Sequence, residues 1–307
     1  MTSPGPGPGE VVVIGSLNLD LGVKVARFPV PGETVAGTEL VESPGGKGAN
    51  QAAAAARLGA RVRLIGAVGD DGAGTTLLGA ASAAGVDPSG VLRVPEPTGR
   101  ALIETDPDGE NRIVVVAGAN ATVSPEHARA ALDPHDVVVL SLEIPLQAVV
   151  EAARHARARG ARVVLNPSPL VDLPAELLGC VDVLVLNAHE AGALGLLRDG
   201  ELSPDAVRVT GVGAVVVTIG SGGAIVAQVR AGSGDLLVDR VEGRTVQVVD
   251  TTGCGDAFTG ALAGGLAGGR DLVEAVEHAN AVGAYAATVR GAQTSYPSRD
   301  ELEAWLR

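Results

Sequence analysis

The chain has 307 residues and a formal net charge of −13 at pH 7, with 46% hydrophobic but only 2% aromatic residues. That length accommodates one large α/β core, or one core with a small appendage, and the core has to be built from Val, Leu, Ile and Ala. The acidity, with no basic cluster to neutralise phosphates, excludes a nucleic-acid surface.

The opening Met-Thr-Ser-Pro-Gly-Pro-Gly-Pro-Gly-Glu has neither the basic start nor the apolar stretch of a signal peptide, so residues 1–10 read as a disordered tail. An ordered domain over 11–307 then begins with Val11–Ser16, a short apolar strand of buried type. Further strands are expected at Val62–Gly66, Val137–Ser141, Val163–Asn166, Val183–Asn187 and Ala214–Ile219. Helical patterns rich in Ala and Leu follow most of them, at Ala49–Leu58, Thr75–Ala84, Leu146–Ala158 and Glu190–Leu197. This alternation predicts an α/β fold with a doubly wound, mainly parallel sheet flanked by helices. Ala214–Ile219 and Ala224–Val229 form a hairpin-like pair around Gly220-Ser-Gly-Gly223, and three closing helices start at Asp256, Asp271 and Ser298. The longest uncharged run, Val209–Val229, is broken by Gly, Ser and Thr and does not read as a membrane span.

Two stretches interrupt the rhythm. Leu21, Val23 and Val25 alternate with Gly22, Lys24 and Ala26 in the first, and Thr98–Val116 forms a second alternating pair about the turn Asp106-Pro-Asp-Gly109. Short amphipathic strands inserted between α/β units predict a discontinuous β lid at about 20–43 and 96–118, whose second face needs a cover, a substrate or another chain. Cys180 and Cys254 are far apart, with no Cys-x-x-Cys and no His cluster, which fits a reduced, cytoplasmic protein.

Chemistry concentrates in two runs. Asp250-Thr-Thr-Gly-Cys-Gly-Asp-Ala-Phe258 places a carboxylate where a loop becomes a helix. Asp256 can take a proton from an alcohol, while the amides of Gly253, Cys254 and Gly255 can gather around an anion at the positive helix end. A base beside an anion cradle is what phosphoryl transfer to a hydroxyl needs, although such turns also occur as plain helix starts. Pro44-Gly-Gly-Lys-Gly-Ala-Asn-Gln51 leads into the alanine-rich helix and lets backbone approach a ligand closely. It is not a Walker A loop, since Gly48 stands where Ser or Thr should follow the lysine. Asn18 and Asp20, two apart, point the same way and suit vicinal sugar hydroxyls, though a turn would use the same pair. The thiol of Cys254, at a helix N-terminus, is expected to have a lowered pKa.

These runs resemble the signatures of the ribokinase-like PfkB carbohydrate kinase family, Gly45–Gln51 the N-terminal one and Asp250–Phe258 the C-terminal one. Gly118-Ala-Asn-Ala121 with Ser124-Pro125, Asn166-Pro-Ser-Pro169 and Asn187-Ala-His-Glu190 fall between them in the family's order. The resemblance implies ATP-dependent phosphorylation of the primary 5-hydroxyl of D-ribose, with Asp256 as base and the amides of Gly253, Cys254 and Gly255 stabilising the transferred group. It further implies that Asn18, Asp20, Gly46, Lys47, Asn50 and Glu143 hold the sugar. Asn187, Thr218, Gly220, Ser221, Gly223, Gly255 and Asn280 would contact ATP, with Glu190 organising Mg²⁺, chiefly through water. Asp250, Thr252, Ala286, Val289, Gly291 and Ser295 would hold K⁺, and the lid would join two chains as a homodimer.

Alternatives of the same fold act on deoxyribose, a ketose or a nucleoside; the scarcity of rings tilts against the nucleoside. A catalytically inactive sugar sensor would not need Asp256 and its cradle. A dinucleotide-dependent oxidoreductase fails at Gly15-Ser-Leu-Asn-Leu-Asp20, which lacks the second and third glycines of that fingerprint.

Overall fold

The computed structural model describes residues 9–107, 110–129, 132–133, 136–230 and 234–307. Residues 1–8 of the expected tail and the last two residues of the Asp106–Gly109 turn therefore lie outside the described residues. The first strand, β1 (Val11–Ile14), is buried at every position because helices cover both faces of its sheet. Val11 and Val13 point into one apolar core, Val12 and Ile14 into the other.

In chain order β1 is followed by β2 (Asn18–Val25), β3 (Gly37–Gly45), α1 (Lys47–Arg57), β4 (Val62–Gly69), α2 (Gly72–Ala83), β5 (Val86–Val94), β6 (Gly99–Thr105) and β7 (Asn111–Val116). The middle of the chain holds β8 (Val137–Ser141), α3 (Leu146–Arg159), β9 (Arg162–Asn166), α4 (Ala175–Leu178), β10 (Val183–Asn187), α5 (Ala188–Ala193) and a two-stranded ribbon, β11 (Leu197–Arg198) and β12 (Glu201–Leu202). It closes with α6 (Pro204–Thr210), β13 (Ala214–Thr218), β14 (Ala224–Val229), β15 (Leu236–Val241), α7 (Cys254–Ala267), α8 (Leu272–Ala286) and α9 (Arg299–Trp305).

The large sheet has nine strands in the order β15-β14-β13-β10-β9-β8-β1-β4-β5. All neighbours from β13 to β5 are parallel, and β14 and β15 extend it antiparallel. One face is covered by α1, α2, α7, α8 and α9, the other by α3, α4, α5 and α6. The order reverses at β1, between β8 and β4, so the crevice beyond the carboxyl ends of β1 and β8 is the switch point where such sheets bind ligands.

Besides the short α4, β11 and β12, three elements were not expected from the sequence. The edge strand β5 contains Asp87-Pro-Ser-Gly90, which reads as a turn; an edge position tolerates it because Pro needs no partner there. The exposed outer strand β15 and the short α6 carry too little apolar periodicity to stand out. The helix expected to reach Leu197 ends at Ala193, where Gly195 turns with φ 70°.

One close contact positions the site. The Ala52–Ala55 run of α1 is fully buried against α7, and a Cβ at Gly260 would lie 2.3 Å from the Gln51 carbonyl oxygen. Only small residues permit that approach, so the first turn of α7 is brought against the polar residues of α1.

The four-stranded small sheet runs β3-β2-β6-β7, with β2 and β6 parallel and the outer pairs antiparallel. Two polar clamps tie it to the core. Asn120 accepts from the Leu17 amide at 2.9 Å and donates to the Leu17 carbonyl at 3.1 Å and to Asn18 Oδ1 at 2.8 Å. Asp71, the N-cap of α2, accepts from the Thr98 hydroxyl at 2.6 Å, the Thr98 amide at 3.0 Å and the Gly74 amide at 2.7 Å. Those donors hold the Asp71 carboxyl down at about 2.

Candidate active site

Asp256 is the third residue of α7 and is buried. The helix starts at Gly253, whose φ of 74° is left-handed and whose missing Cβ would lie 2.6 Å from Tyr296 Oη. Tyr296, buried beneath this turn, donates to the Gly253 carbonyl at 3.2 Å. Two side chains of α1 grip the carboxylate. Asn50 Nδ2 donates to Asp256 Oδ2 at 3.0 Å, and Gln51 Nε2 donates to Oδ1 at 3.0 Å. The Lys47 ammonium also senses it, and Asp256 is the main reason that the Lys47 pKa lies above its ordinary value despite burial.

Of the three expected cradle amides, that of Cys254 donates to the Thr251 carbonyl at 3.2 Å. Those of Gly253 and Gly255 have no backbone acceptor among the described residues, so these two remain for an anion at the helix end.

On one side of Asp256 lies the cluster named for a sugar. Asn18 and Asp20 sit on β2 in register with β3, and the Asp20 carboxylate lies over Gly45, where a Cβ would be 2.0 Å from Oδ2. Gly46, at φ 88°, packs against the Asn18 amide, which a Cβ would approach to 2.7 Å. Glu143 follows β8 and accepts at Oε2 from Ser16 Oγ at 2.5 Å and from the Lys47 amide at 3.0 Å, capping the first turn of α1. Burial, then the charges of Glu143 and Asp256, push the Asp20 carboxyl up to about 7. The cluster is therefore a negative pocket short of hydrogen-bond donors, which a polyhydroxyl ligand could supply.

On the other side two clefts meet at Thr218 and Gly255. The smaller, about 130 Å³, is lined by Lys47, Asn187, Glu190, Thr218, Gly255 and Asp256 among others. Asn187 and Glu190 form a capping box at the start of α5: Asn187 Oδ1 accepts from the Glu190 amide at 2.8 Å, and Glu190 Oε2 accepts from the Asn187 amide at 2.9 Å. The larger, about 290 Å³ and mostly apolar, holds Thr218, Gly220, Ser221, Gly223, Cys254, Phe258 and Asn280. Gly223 packs on β15, a Cβ there falling 2.0 Å from the Val241 carbonyl oxygen. Asn280 donates to the Val241 carbonyl at 3.3 Å, so its amide also fastens the strand end that walls this cleft.

The loops carrying Asp250, Thr252, Ala286, Val289, Gly291 and Ser295 lie together behind the helix start. Asp250 accepts from the Thr252 and Gly291 amides, both at 2.9 Å, and the Val249 amide donates to the Ala287 carbonyl at 2.8 Å. Burial would raise the Asp250 pKa, but hydrogen bonds from Thr252 and Gly291 outweigh it and hold the carboxyl below its ordinary value. The Ser295 hydroxyl is buried and donates to the Ala292 carbonyl at 2.8 Å.

The sequence profile of the pfkB family carbohydrate kinases matches residues 9–299. The chain belongs to the pfkB family. Among curated members, it is 37% identical to a ribokinase of Haemophilus influenzae over 305 residues, covering 96% of this chain and 98% of that one. A ribokinase of Bacillus subtilis is 37% identical over 300 residues, covering 97% and 99% of the two chains. The crystal structure of a Thermotoga maritima ribokinase superposes with a TM-score of 0.85 at 34% identity, covering 97% of this chain and 99% of that one. An Arabidopsis thaliana ribokinase complexed with ribose and ATP gives 0.86 at 32% identity, covering 98% and 99%.

The pfkB signatures thus converge on one crevice, with one correction and several additions. The Cys254 thiol, expected to have a lowered pKa, is instead pushed up to about 11 by burial and by the charges of Asp250 and Asp256. Desolvation and two nearby carboxylates outweigh the helix end. Gln51, Asn120, Asn166 and Gln293 are polar residues of this site that sequence reasoning did not assign, although Gln51, Asn120 and Asn166 lie inside quoted motifs. Gln51 Nε2 also donates to Asn166 Oδ1 at 3.2 Å, and Gln293 Nε2 donates to Asn50 Oδ1 at 3.0 Å.

Because the Asp20 pKa rises from 3.8 to about 7 on folding, the native state holds a proton there that the unfolded chain has lost. Its contribution to stability consequently falls as pH rises through that window. In pH-dependent thermal melts, Asp20→Asn is expected to flatten this fall and to raise the Tm of the ligand-free protein at pH 8; a lower Tm than wild type at pH 8 contradicts the assignment.

Proposed function

We propose that the chain is an ATP-dependent ribokinase, transferring the γ-phosphoryl group of ATP to the primary 5-hydroxyl of D-ribose to give ribose 5-phosphate and ADP. The observation that carries this reading is the position of Asp256, gripped by Asn50 and Gln51 between a carboxylate-rich polar pocket and two clefts sized for a nucleotide and its phosphates. The family membership and the named ribokinases support it.

In this reading Asn18, Asp20, Gly46, Asn50 and Glu143 hold the sugar hydroxyls, with Lys47 spanning the sugar and phosphate sides. Asp256 accepts the proton of the 5-hydroxyl as that oxygen attacks phosphorus, and the electron pair of the bridging bond leaves with ADP. Proton removal of this kind contributes about 10²–10⁴ in rate. The Gly253 and Gly255 amides, with Cys254 beside them, meet the charge on the transferred group. Thr218, Gly220, Ser221, Gly223, Asn187 and Asn280 line the path of ATP. The small sheet, clamped at Asp71 and Asn120, closes the sugar pocket from water, so that ATP is not hydrolysed in its place.

The donor set fits both expected ions. In Glu190 one carboxylate oxygen is held by the Asn187 amide and the other is left for a magnesium that keeps most of its water. Bound there, Mg²⁺ supplies positive charge to the phosphates. The oxygen-rich pair of loops at Asp250, Thr252, Ala286, Val289, Gly291 and Ser295 would hold K⁺ through carbonyls.

Exposed Leu40, Ile113, Val114, Val115 and Val116 leave the small sheet with uncovered apolar surface, which supports a homodimer through it. Free Cys180 and Cys254 accord with a cytoplasmic enzyme, and no helix among the described residues is long and apolar enough to cross a membrane.

Asp256→Asn is expected to lose about 10²-fold or more in kcat while binding ribose within about threefold of wild type. ADP release over ribose, deoxyribose, fructose, adenosine and ribitol checks the substrate; adenosine outrunning ribose would overturn it. Replacing K⁺ by tetramethylammonium should depress activity, and unchanged kinetics would remove the ion from the Asp250–Ser295 loops. In sedimentation velocity Val114→Glu should shift the protein from dimer to monomer; a wild-type monomer sinks the dimer.

A further inference from the structure

The candidate base is not a free carboxylate but the centre of a chain of four side-chain amides. The Val185 carbonyl accepts from Asn166 Nδ2 at 3.1 Å, and Asn166 Oδ1 accepts from Gln51 Nε2 at 3.2 Å. The same Gln51 nitrogen donates to Asp256 Oδ1 at 3.0 Å. On the other side Asp256 Oδ2 accepts from Asn50, whose Oδ1 accepts from Gln293 Nε2 at 3.0 Å.

Every bond in this chain has a fixed sense. Gln51 Nε2 has two hydrogens and faces two acceptor oxygens, so turning its amide over would set Oε1 against both. The alternative is closed even though Oε1 remains buried without a partner as the side chain stands. Asn50 is likewise fixed, because a carboxylate cannot donate to its oxygen; it must give Nδ2 to Asp256 and present Oδ1 to Gln293. The two oxygens of Asp256 are thereby told apart before any ligand arrives. Gln293 lies in the turn Gln293–Ser295, two residues from Gly291, whose amide holds Asp250. The chain of bonds therefore runs from β10 through the base to the loop behind the anion cradle.

We propose that Gln51 and Gln293 are positioning residues for phosphoryl transfer: Gln51 fixes Oδ1 of Asp256 directly, and Gln293 fixes Oδ2 by orienting Asn50. The proposal rests on the reading of Asp256 as the base. Neither glutamine touches the sugar; each acts through the carboxylate. Their loss leaves Asp256 in place but free to rotate, and a small misplacement of a reacting group is costly.

The test is a double-mutant cycle with Gln51→Met, Gln293→Met and Asp256→Asn, read by kcat and by ribose Kd from calorimetry. Gln293→Met is expected to lower kcat about 10-fold and Gln51→Met about 10- to 100-fold, with ribose Kd within about threefold. In the Asp256→Asn background neither glutamine substitution should lower kcat further, because the group through which it acts is gone. Equal losses in both backgrounds, or kcat within about twofold of wild type, overturn the proposal. Gln293 is only partly buried, so its variant carries the test if Gln51→Met does not fold. Wild-type kcat in Asp256→Asn alone would instead remove the base itself, and is read separately from the glutamine arms.

Discussion

The approach of α7 to α1 sets the rest of the site. An alanine run on one helix and Gly260 on the other let their backbones come closer than branched side chains would allow. The gain in packing is ordinary; the chemical consequence is that a carboxylate on the first turn of α7 meets two amides on α1. A carboxylate at a helix N-terminus is common; here it is buried and each of its oxygens meets a directional side-chain donor. The same small residues that lack helix-capping or packing bulk thus locate the reacting group.

Electrostatics gives this arrangement its ligand-free character. Asp20, Glu143 and Asp256 share one pocket; burial first, and then the charges of Glu143 and Asp256, raise the pKa of the Asp20 carboxyl, while Asp256 above all raises that of the Lys47 ammonium. Amide donors offset the charge at Asp256, and Ser16 with the Lys47 amide does so at Glu143. Asp20 is left with the least compensation. A sugar bringing several hydroxyls relieves that deficit, so binding and preorganisation are two views of the same shortage of donors. Beyond Asp256 the amides of Gly253 and Gly255 have no backbone acceptor among the described residues.

The small sheet is held by side chains instead of by continuous pairing. Asp71 fastens the entry to β6 through Thr98, and Asn120 mimics a strand partner for Leu17 and Asn18. Clamps at the strand roots leave the outer portions of β3 and β7 free of the core, with apolar residues uncovered.

Much of this was legible in the chain itself. The parallel core strands announced themselves as uninterrupted Val-rich runs, because strands covered on both faces have no polar side to show. The edge strand β5 did not, since its Pro and Gly are tolerated only where no neighbour needs a hydrogen bond. Glycine-flanked motifs marked the residues that the fold brings to one crevice, Asp256 with Gly253 and Gly255 and the cluster of Asn18, Asp20 and Gly46, because close backbone approach leaves a mark on residue type. What remained hidden was the pairing of side chains distant in sequence: Gln51 with Asp256, Gln293 with Asn50, Asp71 with Thr98. The Cys254 thiol was misjudged for the same reason, as its helix position is local while the burial and charges that raise its pKa are not. Residue types and their order determined which chemistry the chain can carry out; only the packing of α1 on α7 decided how the base is held, since hydrogen-bond partners and desolvation are set by neighbours in space.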